Sequence, residues 1–328
     1  MNILRIVSIL LLLSSWQAQA NPDLPELNVF ITEMAEKHQF DAGKLNTLFS
    51  EVEVKQSIIK AISRPAEKSI PWHKYRKIFM TEKRINGGAD YWLQHGEALA
   101  RAEKEYGVPA AIILAILGVE TRYGGNVGGY RVVDALSTLA FKYPPRSKFF
   151  RSELEHFLLL TREENMSILD PVGSYAGAMG LGQFMPSSYR EYAIDFDGDG
   201  KRDIWTNPTD AIGSIANYLK RHGWLAGESI AHRTKLAGSE PKAMIEKGYK
   251  PSLTRDELQT EGVSIAELPA GDDVIALISL TQKHGEDYWL VRQNFYSITR
   301  YNHSRMYAMA VTQLAEAIRE KYEQTNEQ

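Results

Sequence analysis

No cysteine occurs anywhere in the 328 residues, and that absence narrows the folds open to the chain. Its first residues read as an export leader. Arg5 gives a short positive region, Ile6 to Leu13 an apolar one, and Ala18 and Ala20 an A-x-A cleavage signal before Asn21. Exported domains often rely on disulfides, which a chain without thiols cannot form. Stability must therefore come from hydrophobic cores or a bound metal. The apolar run is too short to cross a bilayer, which disfavours an uncleaved membrane anchor. No thiol is present for lipid attachment either. The expected mature protein is periplasmic, soluble and without a transmembrane segment.

Cores are affordable, since 44% of the residues are apolar and 24% charged. A formal net charge of -3 lacks the basic excess of a nucleic-acid binder. It also supplies no long-range attraction to an anionic polymer, so any such binding must come from a local groove.

Helical spacing of apolar residues predicts helices within 28–49, 96–118, 187–192, 210–222 and 306–322. The helix over 210–222 is opened by Pro208-Thr209-Asp210 in a capping context. Between Leu225 and Glu286 the turn formers Gly227, Gly238, Pro241, Gly248, Pro251, Gly262, Pro269 and Gly271 separate short runs such as Val274 to Ile278. The expected fold is mainly α with a modest β-rich insert.

Ile112, Ile113, Ile116, Leu117 and Glu120 fall on one side of a helix that Gly124-Gly125 then break. A carboxyl continuing an apolar stripe is disfavoured as an anion by desolvation, as a general acid working near neutral pH requires. A Glu that only snorkels at a helix end, or pairs with Arg122, would leave the same pattern.

The segment Ser174 to Tyr189 (SYAGAMGLGQFMPSSY) places three glycines within six residues, allowing close backbone approach. Gln183 follows with donor and acceptor groups suited to a sugar hydroxyl or an N-acetyl amide. Phe184 and Met185 add apolar faces. A tight interhelical turn would use the same glycines.

Asp195, Asp197 and Asp199 stand at positions 1, 3 and 5 of a loop with Gly200 at 6, the opening of an EF-hand calcium site. Lys201 at position 7 would contribute its carbonyl, and Asp203 at 9 a water-mediated contact. Thr206 replaces the usual bidentate Glu at 12, leaving Asp210 as the nearest substitute. With hard oxygen donors alone, the expected ion is a structural Ca2+; a solvated acidic turn is the plain alternative. No organic cofactor is expected.

Taken with Gly118 to Gly124 (GVETRYG), Ala211 to Tyr218 (AIGSIANY) and Asn294 to Asn302 (NFYSITRYN), these segments resemble the lytic murein transglycosylase B family over essentially the whole mature chain. The resemblance implies a lysozyme-like α core with a helical flanking domain and a small β domain. The corresponding divisions are a signal peptide at 1–20, a helical domain at 21–95, the catalytic core with its calcium loop at 96–224, the β-rich unit at 225–286, and a segment at 287–328 completing the core and helical domain.

It also implies cleavage of the β-1,4 bond between N-acetylmuramic acid and N-acetylglucosamine in peptidoglycan glycan strands, leaving a 1,6-anhydro end. Glu120 matches the catalytic glutamate, and Ser174 a serine near it and the muramyl N-acetyl group. Gln183 and Met185 match the groove, while Tyr218, Tyr301 and Asn302 match sugar-contacting positions. Arg146 matches a basic residue meeting the peptide stem; many relatives carry a second where this chain has Pro145. Many relatives are lipid-anchored, and this chain resembles the soluble branch. A muramidase-type hydrolase and a non-catalytic wall-binding protein are the competing classes, separable by product analysis and by turbidity loss of sacculi.

Overall fold

The computed structural model describes residues 24, 26–63, 70–271 and 274–326. The expected leader lies outside them.

The chain opens with α1 (Leu27–His38), α2 (Ala42–Ser50) and α3 (Gln56–Ile62). Leu27, Phe30, Ile31 and Met34 form the buried stripe of α1, at the spacing of a helix face. The helical stretch expected over 28–49 is two helices, because Gln39 turns left-handed (φ 57) and the Asp41 side chain accepts Lys44 N–H at 2.8 Å to start α2.

Next come α4 (Trp72–Phe79), α5 (Glu82–Tyr106) and α6 (Ala110–Thr121). The stretch expected over 96–118 is likewise divided. Gly107, at φ 71, closes α5, and Pro109, with no N–H to offer, stands at the start of α6.

The two-residue strands β1 (Tyr130–Arg131) and β2 (Val172–Gly173) pair antiparallel, Tyr130 opposite Gly173. Between them run α7 (Val132–Lys142), a 3-10 turn at Pro144–Arg146 and α8 (Ser147–Glu163). Then follow α9 (Pro186–Tyr192) and α10 (Pro208–Arg221). The cap of α10 is Asn207, whose side chain accepts from Thr209 and Asp210 N–H. The Pro-Thr-Asp run expected to cap it occupies the first helical turn.

A three-stranded antiparallel sheet, in the order β3-β5-β4, is built from β3 (Ala231–Thr234), β4 (Ala276–Thr281) and β5 (Glu286–Val291), with the short helices α11 (Lys242–Glu246) and α12 (Arg255–Thr260) between β3 and β4. Strand β4 is buried on both faces. Ala276, Ile278 and Leu280 join the main core, whereas Leu277 joins a small core with Leu253, Leu258, Val263, Leu268, Ile275 and Leu290. That period-two division seats the insert on the helical body. Because β5 runs to Val291, the sheet extends past the division expected at 286.

The chain ends in α13 (Gln293–Tyr301) and α14 (Arg305–Asn326), and α14 packs back on α4, α5 and α6. The fold is mainly α with small antiparallel sheets, in agreement with the sequence. No helix among the described residues is long and apolar enough to cross a membrane.

Candidate active site

Helix α6 carries Glu120 in its last turn. Every residue from Ala110 to Gly118 is buried, so the helix has no polar face and the stripe expected from Ile112 to Leu117 is one side of a wholly enclosed rod. Glu120 is half-buried at the point where the rod emerges. Arg122 (φ 54) and Tyr123 (φ 59) then turn the chain through left-handed conformations, ahead of the glycines expected to break the helix.

That end is clamped from beneath. The buried Arg84 donates from Nε to Gly118 O at 2.8 Å and from Nη1 to Ile78 O at 2.5 Å and Phe79 O at 3.2 Å. Tyr123 Oη donates to Arg84 O at 2.8 Å. Gly118 is required here, because a Cβ would lie 2.5 Å from that hydroxyl. Arg84 carries no motif signal in the sequence, because its bond to α6 goes to a backbone carbonyl 34 residues away.

Across from the rod end, Tyr307 of α14 donates its hydroxyl to Glu120 Oε1 at 2.5 Å. The Tyr301 ring stacks at 6.5 Å from the Tyr307 ring, only 8° from parallel. Both phenols are held well above their ordinary pKa, first by burial and then by the negative charge of Glu120. That shift favours their protonated, hydrogen-bond-donating form. Tyr301 spends its proton on Gly182 O.

Tyr301 thereby ties α13 to the glycine-rich segment, and Thr121 ties α6 to it. Thr121 Oγ1 donates to Leu181 O at 2.9 Å and accepts Gly124 N–H at 3.1 Å. The glycines serve close approach, as expected. A Cβ at Gly182 would sit 2.9 Å from Tyr301 Oη, and one at Gly180 (φ 70) would sit 2.5 Å from Ile204 O.

Ser174, at the end of β2, accepts Ala176 N–H at 3.3 Å and Ala178 N–H at 3.0 Å on Oγ. With its acceptor capacity engaged, the hydroxyl has its proton left to give. Gln183, left-handed at φ 52, donates from Nε2 to Val127 O at 3.1 Å and Gly180 O at 2.9 Å. Its amide protons are thus committed to the backbone, and Oε1 is the group it can present; the expectation of both donor and acceptor narrows to an acceptor.

Phe184 links the remaining aromatics, 5.8 Å from Tyr301 and 5.6 Å from Tyr218. Tyr218 is buried, donates to Arg300 O at 2.5 Å and stacks on His222 at 4.0 Å. Met185 stands half-buried at the start of α9. Asn302 ends α13 and lines a cavity of about 880 Å³ between the start of α4, the insert and the loop into α14. Arg146 is exposed on its 3-10 turn, with its guanidinium over Phe149 at 4.4 Å and Phe150 at 5.0 Å. The structure thus gathers Glu120, Tyr307, Tyr301 and Tyr218 through a chain of contacts, with Asn302 adjoining Tyr301 in sequence; the partners of Gln183 are Val127 O and Gly180 O, and Arg146 lies over Phe149 and Phe150.

The acidic loop fits a hard cation. Carboxylate oxygens of Asp195, Asp197 and Asp210 lie within 4.8 Å of one another. Asp210, fully buried, accepts Phe196 N–H at 2.7 Å and Asp203 N–H at 2.8 Å and so shapes the loop. Burial raises its pKa, with the charge of Asp197 adding to the effect against the pull of the loop amides. A cation would relieve that strain between like charges. Asp199 and Lys201 stand outside the carboxylate trio; Asp199 Oδ1 accepts Lys201 N–H at 2.8 Å. Asp203 accepts Trp205 and Thr206 N–H at 2.9 Å each, closing the loop.

A mainly helical body that presents one oriented carboxyl beside an aromatic, hydroxyl-bearing wall has the equipment of an acid/base enzyme acting on a carbohydrate. The chain belongs to the family described as the transglycosylase SLT domain, which it matches over residues 23–316. It is 42% identical over 303 residues to the membrane-bound lytic murein transglycosylase B of Escherichia coli (strain K12), covering 90% of this chain and 82% of that protein. The crystal structure of the soluble lytic transglycosylase SltB1 from Pseudomonas aeruginosa superposes with a TM-score of 0.85 at 51% identity, covering 90% of this chain and 98% of that one. The Escherichia coli lytic transglycosylase Slt35 in complex with calcium gives 0.83 at 41% identity, covering 91% and 94%.

Proposed function

We infer that the chain is a lytic transglycosylase of peptidoglycan, with Glu120 as its acid and base. The observation that carries the reading is the Tyr307–Glu120 hydrogen bond at the end of a fully enclosed helix, within a chain of this family. A retaining glycosidase needs a second carboxylate about 5–5.5 Å from the acid. The phenols of Tyr307 and Tyr301 stand near Glu120, and no motif nominates a second carboxylate beside it.

The reaction then uses the substrate's own groups. Protonated Glu120 donates to the glycosidic oxygen as the C1–O bond breaks. The 2-acetamido carbonyl oxygen shares the positive charge developing at C1, a substrate-assisted route. The Ser174 hydroxyl is suited to orient that acetamido group, because its proton is the part of it left to give. The Glu120 carboxylate next takes the proton of the C6 hydroxyl, whose oxygen attacks C1 of the same sugar. Proximity lets this internal attack outrun water, and the product is a 1,6-anhydromuramyl end. Gln183 Oε1, Met185, Tyr218, Tyr301 and Asn302 would line the sugar path, and Arg146 a peptide stem.

A calcium ion on Asp195, Asp197 and Asp210 would supply no chemistry beyond fixing the loop. Action on peptidoglycan also supports periplasmic residence, reached by cleavage of the leader.

The test is digestion of purified glycan strands by the parent and by Glu120→Gln, with the new ends identified by mass. Anhydromuramyl ends from the parent and none from the variant support the reading. Reducing muramic ends from the parent would make the enzyme a hydrolase, and full activity in the variant would remove Glu120 from the mechanism.

A further inference from the structure

A second cleft, of about 400 Å³, opens beside β2 and the acidic loop, in the range of small-ligand pockets of about 300–1,000 Å³. Apolar Met166, Pro171, Val172 and Trp205 line it together with charged side chains, Arg202 and Glu164 among them. Val172 is 38% exposed. An indole wall with hydrogen-bonding groups at its edge suits the apolar face and peripheral hydroxyls of a pyranose ring.

Two connections join this cleft to features already described. Ser174 follows Val172 by two residues, so in extended chain the two lie on one side of the strand and about 7 Å apart. A polymer with one sugar beside Ser174 could therefore reach the cleft with a sugar further along. The second connection is a path of hydrogen bonds. Asp210 Oδ2 accepts Asp203 N–H at 2.8 Å, Asp203 Oδ1 accepts Trp205 N–H at 2.9 Å, and Trp205 Nε1 donates to Val172 O at 3.3 Å. The carboxylate that completes the cation trio is thus coupled to the indole and to β2.

We propose that the cleft between the acidic loop and β2 is an additional saccharide subsite with Trp205 as its platform, held in shape by the divalent cation of the loop. The proposal rests on the glycan-cleaving function above. Occupation of the loop fixes Asp210, hence Asp203 and the pitch of Trp205. Substrate length and cation binding are therefore linked: a strand long enough to reach the cleft binds more tightly when the loop is loaded, and a short one is indifferent.

Binding of the β-1,4-linked N-acetylglucosamine trimer and hexamer is measured by calorimetry on the Glu120→Gln full chain, with calcium and with EGTA. The hexamer is expected to bind about tenfold more tightly than the trimer with calcium, the gain of one ordered aromatic contact. EGTA, Trp205→Ala or Val172→Lys should each reduce the hexamer to the affinity of the trimer while trimer binding is unchanged. Val172→Lys lies on the surface, and its melting curve should match the parent, so it reports on the cleft if Trp205→Ala is destabilised. A hexamer that binds no better than the trimer, or a gain that survives Val172→Lys, overturns the subsite; a gain that survives EGTA overturns the role of the cation. Loss of binding by both oligomers, together with absence of anhydromuramyl products from the parent, would instead overturn the enzymatic reading on which the proposal stands.

Discussion

Tyr307 reaches Glu120 from 187 residues further along the chain, and its hydroxyl donates to the carboxyl at 2.5 Å. The bond fixes one oxygen of the carboxyl. Tyr307→Phe keeps the ring and its stacking on Tyr301 but removes the donor. It should lower kcat by about 10- to 100-fold, the equivalent of about 1.5–3 kcal/mol, with KM little changed. Steady-state rates on soluble glycan check this; an unaltered kcat would mean that the phenol does not position the acid.

Thr121 next to Glu120 joins α6 to the glycine-rich segment. Thr121→Val preserves shape and leaves Leu181 O and Gly124 N–H without that partner. A loss of about 1–3 kcal/mol is expected, read from urea unfolding, together with reduced activity in the folded protein.

Gly180 bears a positive φ and lies against Ile204 O. Gly180→Ala combines an unfavourable backbone region with a contact too short to keep, so it should cost about 2 kcal/mol or more. In a chain of this size that is a melting temperature about 3 °C lower. A melting curve equal to the parent's would show that the segment can shift without cost.

Asp210 gives stability a pH dependence. Its folded pKa is raised above the ordinary 3.8, so its contribution is full below 3.8 and is lost as pH climbs through the raised value. Calcium should offset that loss, because it binds the ionised form. The gap between melting temperatures with calcium and with EGTA should therefore widen from about pH 4 to pH 8. Asp210→Asn should abolish most of the gap, whereas a gap independent of pH would contradict the assignment.

What was legible in the sequence is what lies close together along it. Glu120, the run from Ser174 to Tyr189 and the spacing of Asp195, Asp197 and Asp199 are contiguous signals, and the insert announced itself through its turn formers. Tyr307 and Arg84 escaped because each has a remote partner, Glu120 for one and the Gly118 carbonyl for the other. The helix breaks at Gln39 and at Gly107–Pro109 were hidden by an apolar period that continued across them. The stripe on α6 misled for a related reason. Periodicity assumes that one side of a helix meets water, and here α5, α10 and α14 surround the rod.

That enclosure has a bearing on how the enzyme meets its polymer. Glu120 is rooted in the part of the protein least able to yield, since close-packed interiors transmit displacement instead of absorbing it. The glycan must be brought to the carboxyl and bent to suit it. Changes at the periphery, at Arg146 on its exposed turn or in the insert, would leave the Glu120 carboxyl in its place.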